Sequence, residues 1–341
     1  MNMLDALAKV MDEKCRAHQD QPLLVGVSGG ADSICLLDIL LRLGYPLQIA
    51  HFNHGIRPEA GRDEARVRAL GSSLGIEVLV GSGDVLQYAR THNQPVEEVA
   101  REMRYHFMFQ QASRCGLQAV VVAHHADDQV ETLLMHLLRG SGLDGLTGMA
   151  YRSLPNPWSD TIPLLRPLLE VWKEEILAYC GERELVPLFD ETNLDTTYFR
   201  NRIRHQLVPR LEALKPGVRG GLLQMMDLLR ADQAVIRAQE ELAWGQVVTS
   251  ISQGVVSFQQ KTFDRQPLGI QRRLIRRAVI HCRSESRDLD YALVKRALEF
   301  IQSPTRSGQA DLGLGLRIVL ESSHYFLAAW EADLDPGNCC L

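Results

Sequence analysis

Val25-Gly26-Val27-Ser28-Gly29-Gly30-Ala31-Asp32-Ser33 carries an apolar run, Leu23–Val27, through two glycines into a helical pattern, Ala31–Leu43. A short apolar run bounded by Pro22 and a Ser-Gly-Gly turn reads as a buried strand. The glycines let the backbone approach a ligand, and the free N–H groups of a helix start attract an anion. Ser28 and Ser33 add hydroxyl donors for phosphate oxygens. The loop lacks the lysine of a G-x-x-x-x-G-K-[ST] phosphate loop and the spacing of a dinucleotide G-x-G-x-x-G loop. An acid inside a phosphate loop repels the phosphate unless a divalent cation lies between them, so Asp32 implies Mg2+. The plainer alternative is a tight strand–helix turn with Asp32 as an early-turn helix acid.

Outward from this loop, Leu47–Phe52, Ile76–Val80 and Ala119–Ala123 read as strands. Pro58–Leu74, Val96–Cys115 and Asp128–Arg139 read as helices, each closed by a glycine just past its end. Continuous apolar strands alternating with helices predict an α/β fold, a parallel sheet covered on both faces. Ligands of such sheets bind beyond the carboxyl ends of the strands. Near residue 200 the texture changes. Gly217, Gly220 and Gly221 mark a linker, Leu222–Val248, Pro267–Cys282 and Leu289–Gln302 read as helices, and Leu316–Leu320 with Tyr325–Trp330 as a terminal hairpin. The expected organisation is a catalytic domain over 1–215 and a smaller, mainly helical domain with that hairpin over 220–335.

Two strand ends carry further chemistry. His51-Phe52-Asn53-His54-Gly55-Ile56-Arg57 suits a pair of metal ligands, a polar loop with local hydrogen bonds, or the border of a nucleotide site. Ala123-His124-His125-Ala126-Asp127-Asp128-Gln129-Val130-Glu131-Thr132 gathers two histidines and three acids at one strand end. With a helix starting near Asp127, Asp128 and Glu131 share a face at i, i+3 and can hold Mg2+ or an ammonium group. The competing structural role is Asp127 as N-cap with Glu131 as capping-box partner.

The Ser28–Ser33 loop resembles the pyrophosphate loop (PP-loop) of the ATP pyrophosphatase superfamily, whose fold is the adenine-nucleotide alpha hydrolase type. With Ala100-Arg101-Glu102-Met103-Arg104-Tyr105, Arg139-Gly140-Ser141-Gly142-Leu143-Asp144-Gly145-Leu146, Leu165-Arg166-Pro167-Leu168-Leu169, Asp190-Glu191-Thr192-Asn193-x-Asp195 and Arg200-Asn201-Arg202-Ile203-Arg204-His205, the ordered set over residues 20–210 resembles the tRNA(Ile)-lysidine synthetase family.

That resemblance implies a ligase that spends ATP to adenylate the wobble cytidine of a CAU-anticodon tRNA(Ile), then joins free L-lysine to it. It implies ATP held by Ser28, Gly29, Gly30, Ala31, Asp32 and Ser33, with adenine near Ala50, His51 and Ala123. Mg2+ falls to Asp32. Lysine, with its two ammonium groups, needs carboxylates, which Asp127, Asp128 and Glu131 supply. Arg101, Arg104 and Arg202 join Asp32, Asp128 and Glu131 as catalytic candidates, the arginines stabilising the transferring phosphate or the activated base.

Charge adds a partner. Residues 200–330 hold 20 Lys and Arg against 12 Asp and Glu, whereas the remainder is acidic, so the basic part is expected to meet a polyanion. Arg272, Arg273, Arg276 and Arg277, with Arg204, are the expected tRNA phosphate contacts. No apolar run approaches the roughly 20 residues needed to span a bilayer, so no membrane partner is expected. Met1–Gln21 is acidic for a signal peptide and reads as an amphipathic helix. The seven cysteines are scattered without a C-x-x-C pair, which disfavours a thiolase cluster or a zinc ribbon and points to a reducing cytoplasm. A homodimer is left open.

Overall fold

The computed structural model describes residues 2–55, 60–187, 199–283, 291–304, 308–332 and 334. Ile56, Arg57 and Pro58, the Asp190–Asp195 block, Leu289, and Cys339 with Cys340 lie outside the described residues. The chain divides into two compact units, Met1–Leu229 and Arg230–Leu341.

The first unit opens with helix α1 (Met3–Lys9), continued by a π-helical turn over Val10–Lys14. Then come β1 (Leu23–Gly26), α2 (Ala31–Arg42), β2 (Leu47–Asn53), α3 (Ala60–Leu74), β3 (Val78–Ser82), α4 (Val85–His92), α5 (Val96–Arg114), β4 (Ala119–Val121) and α6 (Ala126–Leu138). After α7 (Leu143–Leu146) follow β5 (Arg152–Ser153), β6 (Leu164–Leu165), α8 (Lys173–Glu182), α9 (Phe199–Arg202), a π turn over Ile203–Leu207, and α10 (Val208–Leu214).

The strands form one sheet in the order β3-β2-β1-β4-β6-β5, parallel except for β5. Leu23 stands opposite Leu47 on one side and Ala119 on the other. Strand order reverses at β1, so the crevice beyond β1 and β4 is the switch point where such sheets bind ligands. Alternate residues of β1 serve different cores. Leu23 and Val25 pack with Leu36, Leu40, Ile176 and Tyr179 from α2 and α8. Leu24 packs with Tyr105, Met108, Phe109 and Ala112 from α5. Burial on both faces is why these strands read as unbroken apolar runs.

Helix α11 (Val218–Val247) crosses the boundary between the units. Gly220 and Gly221, which the sequence pattern marks as linker, lie inside it. The second unit continues with β7 (Val248–Ser252), β8 (Val255–Gln259), α12 (Gln260–Asp264), α13 (Leu268–Cys282), α14 (Tyr291–Gln302), β9 (Gly308–Gly313), β10 (Leu316–Glu321) and β11 (His324–Ala329). The expected hairpin is present as β10–β11, and it belongs to a five-stranded antiparallel sheet, β7-β8-β11-β10-β9. Phe258, Ile318 and Tyr325 of this sheet share one core with Leu274 and Ile275 of α13 and with Val294 and Leu298 of α14.

Candidate active site at the switch point of the sheet

Between β1 and α2 the chain turns at Gly29, whose φ of 92° is open to glycine and strained for other residues. Gly30 is the N-cap of α2. The Ser33 hydroxyl donates to the Gly30 carbonyl at 3.0 Å and lies 3.3 Å from the Ser28 hydroxyl. The first N–H groups of α2 have no partner within the helix, which makes them a candidate anion cradle. Asp32 stands in this first turn.

Beyond β4, His125 is the N-cap of α6, and its N–H donates to Asp128 Oδ2 at 3.0 Å. The capping acid is therefore Asp128, three residues into the helix, rather than Glu131. His125 is where the two motifs meet. Its Nε2 lies 3.9 Å from Asp32 Oδ2 and 3.6 Å from Asp128 Oδ2, and its Nδ1 lies 3.4 Å from Asp127 Oδ2.

The acids are met by cations from four elements. Lys173, first residue of α8, donates from Nζ to Asp32 Oδ1 at 2.6 Å, and its backbone N–H donates to Asp127 Oδ2 at 3.0 Å. Arg204 spans Glu131 and Asp128, with Nε to Glu131 Oε1 at 2.6 Å and a terminal nitrogen to Asp128 Oδ1 at 3.2 Å. Arg200 donates to Glu131 Oε2 at 3.1 Å. Arg219, in the first turn of α11, donates to Asp127 Oδ1 at 2.7 Å. Arg204, expected at the tRNA surface, thus lies in the carboxylate cluster, because the π turn brings it over α6.

Burial and these neighbours set the charges. Burial opposes ionisation of Asp128, yet His125, His124 and Arg200 hold its carboxyl well below the usual range. Against the same burial, His125, Lys173 and Arg219 hold Asp127 at about 2. Burial lifts Glu131 above its ordinary value despite the Arg204 guanidinium. Burial alone would lower His125, but Asp128, Asp127 and Asp32 together raise it. Burial pushes His124 well down. The cluster is a buried array of alternating charge, suited to a zwitterionic ligand.

Other expected residues lie elsewhere. Ala50 is buried on β2, and its carbonyl accepts from Val27 N at 2.9 Å. His51 is buried with Nδ1 2.8 Å from the Val27 carbonyl oxygen. Ala123 is half-buried past β4. Arg101 and Arg104 flank the Tyr105 ring at 5.4 and 5.3 Å. Arg202 is exposed, over Phe199. Arg166 is buried and donates to the Ala150 carbonyl at 2.9 Å and to the Ser153 hydroxyl at 3.0 Å. In the second unit, Arg273 and Arg277 pair with Glu240 and Glu241 of α11, and Arg272 is exposed.

Among the described residues no three His, Cys, Asp or Glu side chains are arranged to hold a metal ion. Mg2+ that bridges phosphates takes one or two protein carboxylates and completes its shell with phosphate and water oxygens. Asp32, with its side chain 30% exposed beside the phosphate loop, is the candidate for such a carboxylate.

Comparison with known proteins places the chain among relatives. A PP-loop domain model matches residues 3–211. A tRNA(Ile)-lysidine synthase of Geobacter sulfurreducens is 35% identical over 316 residues, 92% of this chain and 66% of that protein. Proteins of the same name from Dehalococcoides mccartyi and a Nostoc species are 30% and 32% identical, and the chain covers 73% and 84% of their lengths. It spans about half, 51%, of a Parabacteroides distasonis relative. A U34-tRNA thiolase of Methanococcus maripaludis, solved with its [4Fe-4S] cluster, shares the fold at a TM-score of 0.55 and 18% identity, over 66% of this chain and 79% of that one.

Proposed function

We propose, from the premise that this chain belongs to the tRNA(Ile)-lysidine synthase family, that it adenylates the wobble cytidine of a CAU-anticodon tRNA(Ile) with ATP and then joins lysine to the activated carbon. In the first step the cytosine carbonyl oxygen bonds to the α-phosphorus and pyrophosphate leaves. In the second a lysine amine bonds to the ring carbon, loses a proton, and AMP leaves. Asp32 would hold Mg2+, which when bound would supply charge neutralisation to the departing pyrophosphate. The Ser28–Ser33 cradle and the α2 N-terminus bind the same oxygens.

The observation that carries the reading is the meeting of both motifs at His125, between Asp32 of the phosphate loop and Asp128 of the carboxylate cluster. A lysine zwitterion needs anions for its ammonium groups and cations for its carboxylate. Asp127 and Asp128 remain ionised, and Asp128 is held by Arg204 through a long 3.2 Å contact. Arg204 and Arg200 suit the carboxylate end. One of the three acids Asp127, Asp128 and Glu131 takes the amine proton, directly or through water. The wobble base has to leave its stack to enter. The cytoplasm is the expected setting.

The test combines the protein with ATP, Mg2+, lysine and a CAU-anticodon isoleucine tRNA transcript, followed by mass spectrometry of the digested tRNA. The expected product is a cytidine carrying lysine, dependent on both ATP and lysine. Adenylated tRNA that lysine fails to discharge would sink the second step, and absence of both products with tRNA bound would sink the reading. Asp32→Asn and Asp128→Asn should each abolish product in a folded protein.

A further inference from the structure

We infer that Lys173 is an exchangeable cation of the phosphate site: it neutralises Asp32 before nucleotide arrives and transfers to a phosphate oxygen when ATP enters with its divalent cation. The inference rests on the reading of Asp32 as the Mg2+ carboxylate. Its ground is geometric. The ammonium sits 2.6 Å from Asp32 Oδ1, on the oxygen turned away from His125, which faces Oδ2. Among the described residues, Asp32 is the one acceptor that this ammonium reaches. A divalent cation and an ammonium compete for that oxygen, because two positive charges at one carboxylate repel.

The lysine is built to leave. Its backbone is fixed where α8 begins, by the N–H bond to Asp127 at 3.0 Å and by the capping bond from Trp172 N to Glu175 at 2.7 Å. Its side chain is 37% exposed and ends a four-carbon stem of rotatable bonds. A cation in the first turn of a helix opposes the helix dipole, a placement that local stability does not reward. The anion that rewards it in the empty protein is Asp32. Once Asp32 takes the metal, the charge-complementary acceptor at the cradle is a phosphate oxygen. A point charge on a flexible stem suits a group that must follow pyrophosphate as it separates from the α-phosphorus. Lys173 then acts on the leaving group directly, as a catalytic residue.

The experiment compares full-length wild type, Lys173→Met, Lys173→Arg and Asp32→Asn, each first checked by thermal melting. Mn2+ is titrated without nucleotide and followed by its spin-resonance signal. Pyrophosphate release is then measured with ATP, Mg2+ and the tRNA transcript. Lys173→Met should bind Mn2+ about two- to fivefold more tightly, as expected for removal of a partly exposed competing charge, while kcat for pyrophosphate release falls. Lys173→Arg should restore the weak Mn2+ binding of wild type and part of kcat. Unchanged Mn2+ binding in Lys173→Met, or an undiminished kcat, would overturn the exchange and leave an ordinary ion pair. Asp32→Asn that binds Mn2+ and releases pyrophosphate like wild type would instead overturn the underlying assignment of Asp32. Loss of both in Asp32→Asn, with Lys173→Met indistinguishable from wild type, would refute the exchange alone.

Discussion

Glu131 has a side chain only 2% exposed, and both of its oxygens are taken by guanidinium groups. Removing one member of such a pair leaves uncompensated charge, so Glu131→Ala should cost about 3–5 kcal/mol of unfolding free energy, measured by denaturant titration. Glu131→Met combined with Arg204→Met should lose less than Glu131→Ala does, because no charge is stranded. Equal losses would show that the carboxylate contributes packing and little electrostatics. His125 gives a pH signature of definite sign. The native state binds its proton more tightly than the unfolded chain does, so its stabilisation is complete below the ordinary value of 6.5 and is lost as pH rises through the raised native value. The gap in melting temperature between wild type and His125→Gln should therefore narrow above pH 6.5. A constant gap would mean that the ring is uncoupled from Asp127 and Asp128.

The elements most legible in the sequence are those whose chemistry is local. Strand β1, its glycine turn and α2 announce themselves within a dozen residues, and so do β4 and α6. Strands β5 and β6 are two residues each, and their pairing is specified by distant partners, so no periodicity marks them. The sheet of the second unit is half visible: β7 exposes alternate residues and carries little apolar signal. In the site, Asp32, Asp127, Asp128 and Glu131 are readable from spacing. Lys173 is not, because the residue it meets is 141 positions away. The available clue is a lysine opening a helix, where dipole and charge disagree. Gly220 and Gly221 mislead in the other direction, since glycine pairs suggest a break and Leu222, Leu223 and Met226 carry the helix through it. A Cβ at either glycine meets nothing within 4 Å. Gly220→Ala and Gly221→Ala should each raise stability by about 0.5–1 kcal/mol, read from denaturation midpoints. A loss would show that α11 needs flexibility at its start.

At the scale of the whole chain, ion pairing partly conceals the charge asymmetry of the sequence. Of the arginine row on α13, Arg273 and Arg277 are committed to Glu240 and Glu241, and Arg277 also lies 4.2 Å over the Trp244 ring. Arg272→Ala should lower the slope of log affinity for tRNA against log salt by about 1. Arg273→Ala should leave that slope unchanged and lower the melting temperature, because Glu240 is then unpaired. A reversed pattern would mean that the row opens toward RNA on binding. Arg219 lies beyond residue 215, where the sequence texture suggests an edge, yet it holds Asp127, Glu174 and Glu212. A gene fragment ending there would keep every residue of the phosphate loop and lose the clamp on the acid beside it. The unit that recombination can move intact is therefore longer than the signature by which it is recognised, and shuffling junctions that preserve chemistry should fall after the opening turn of α11.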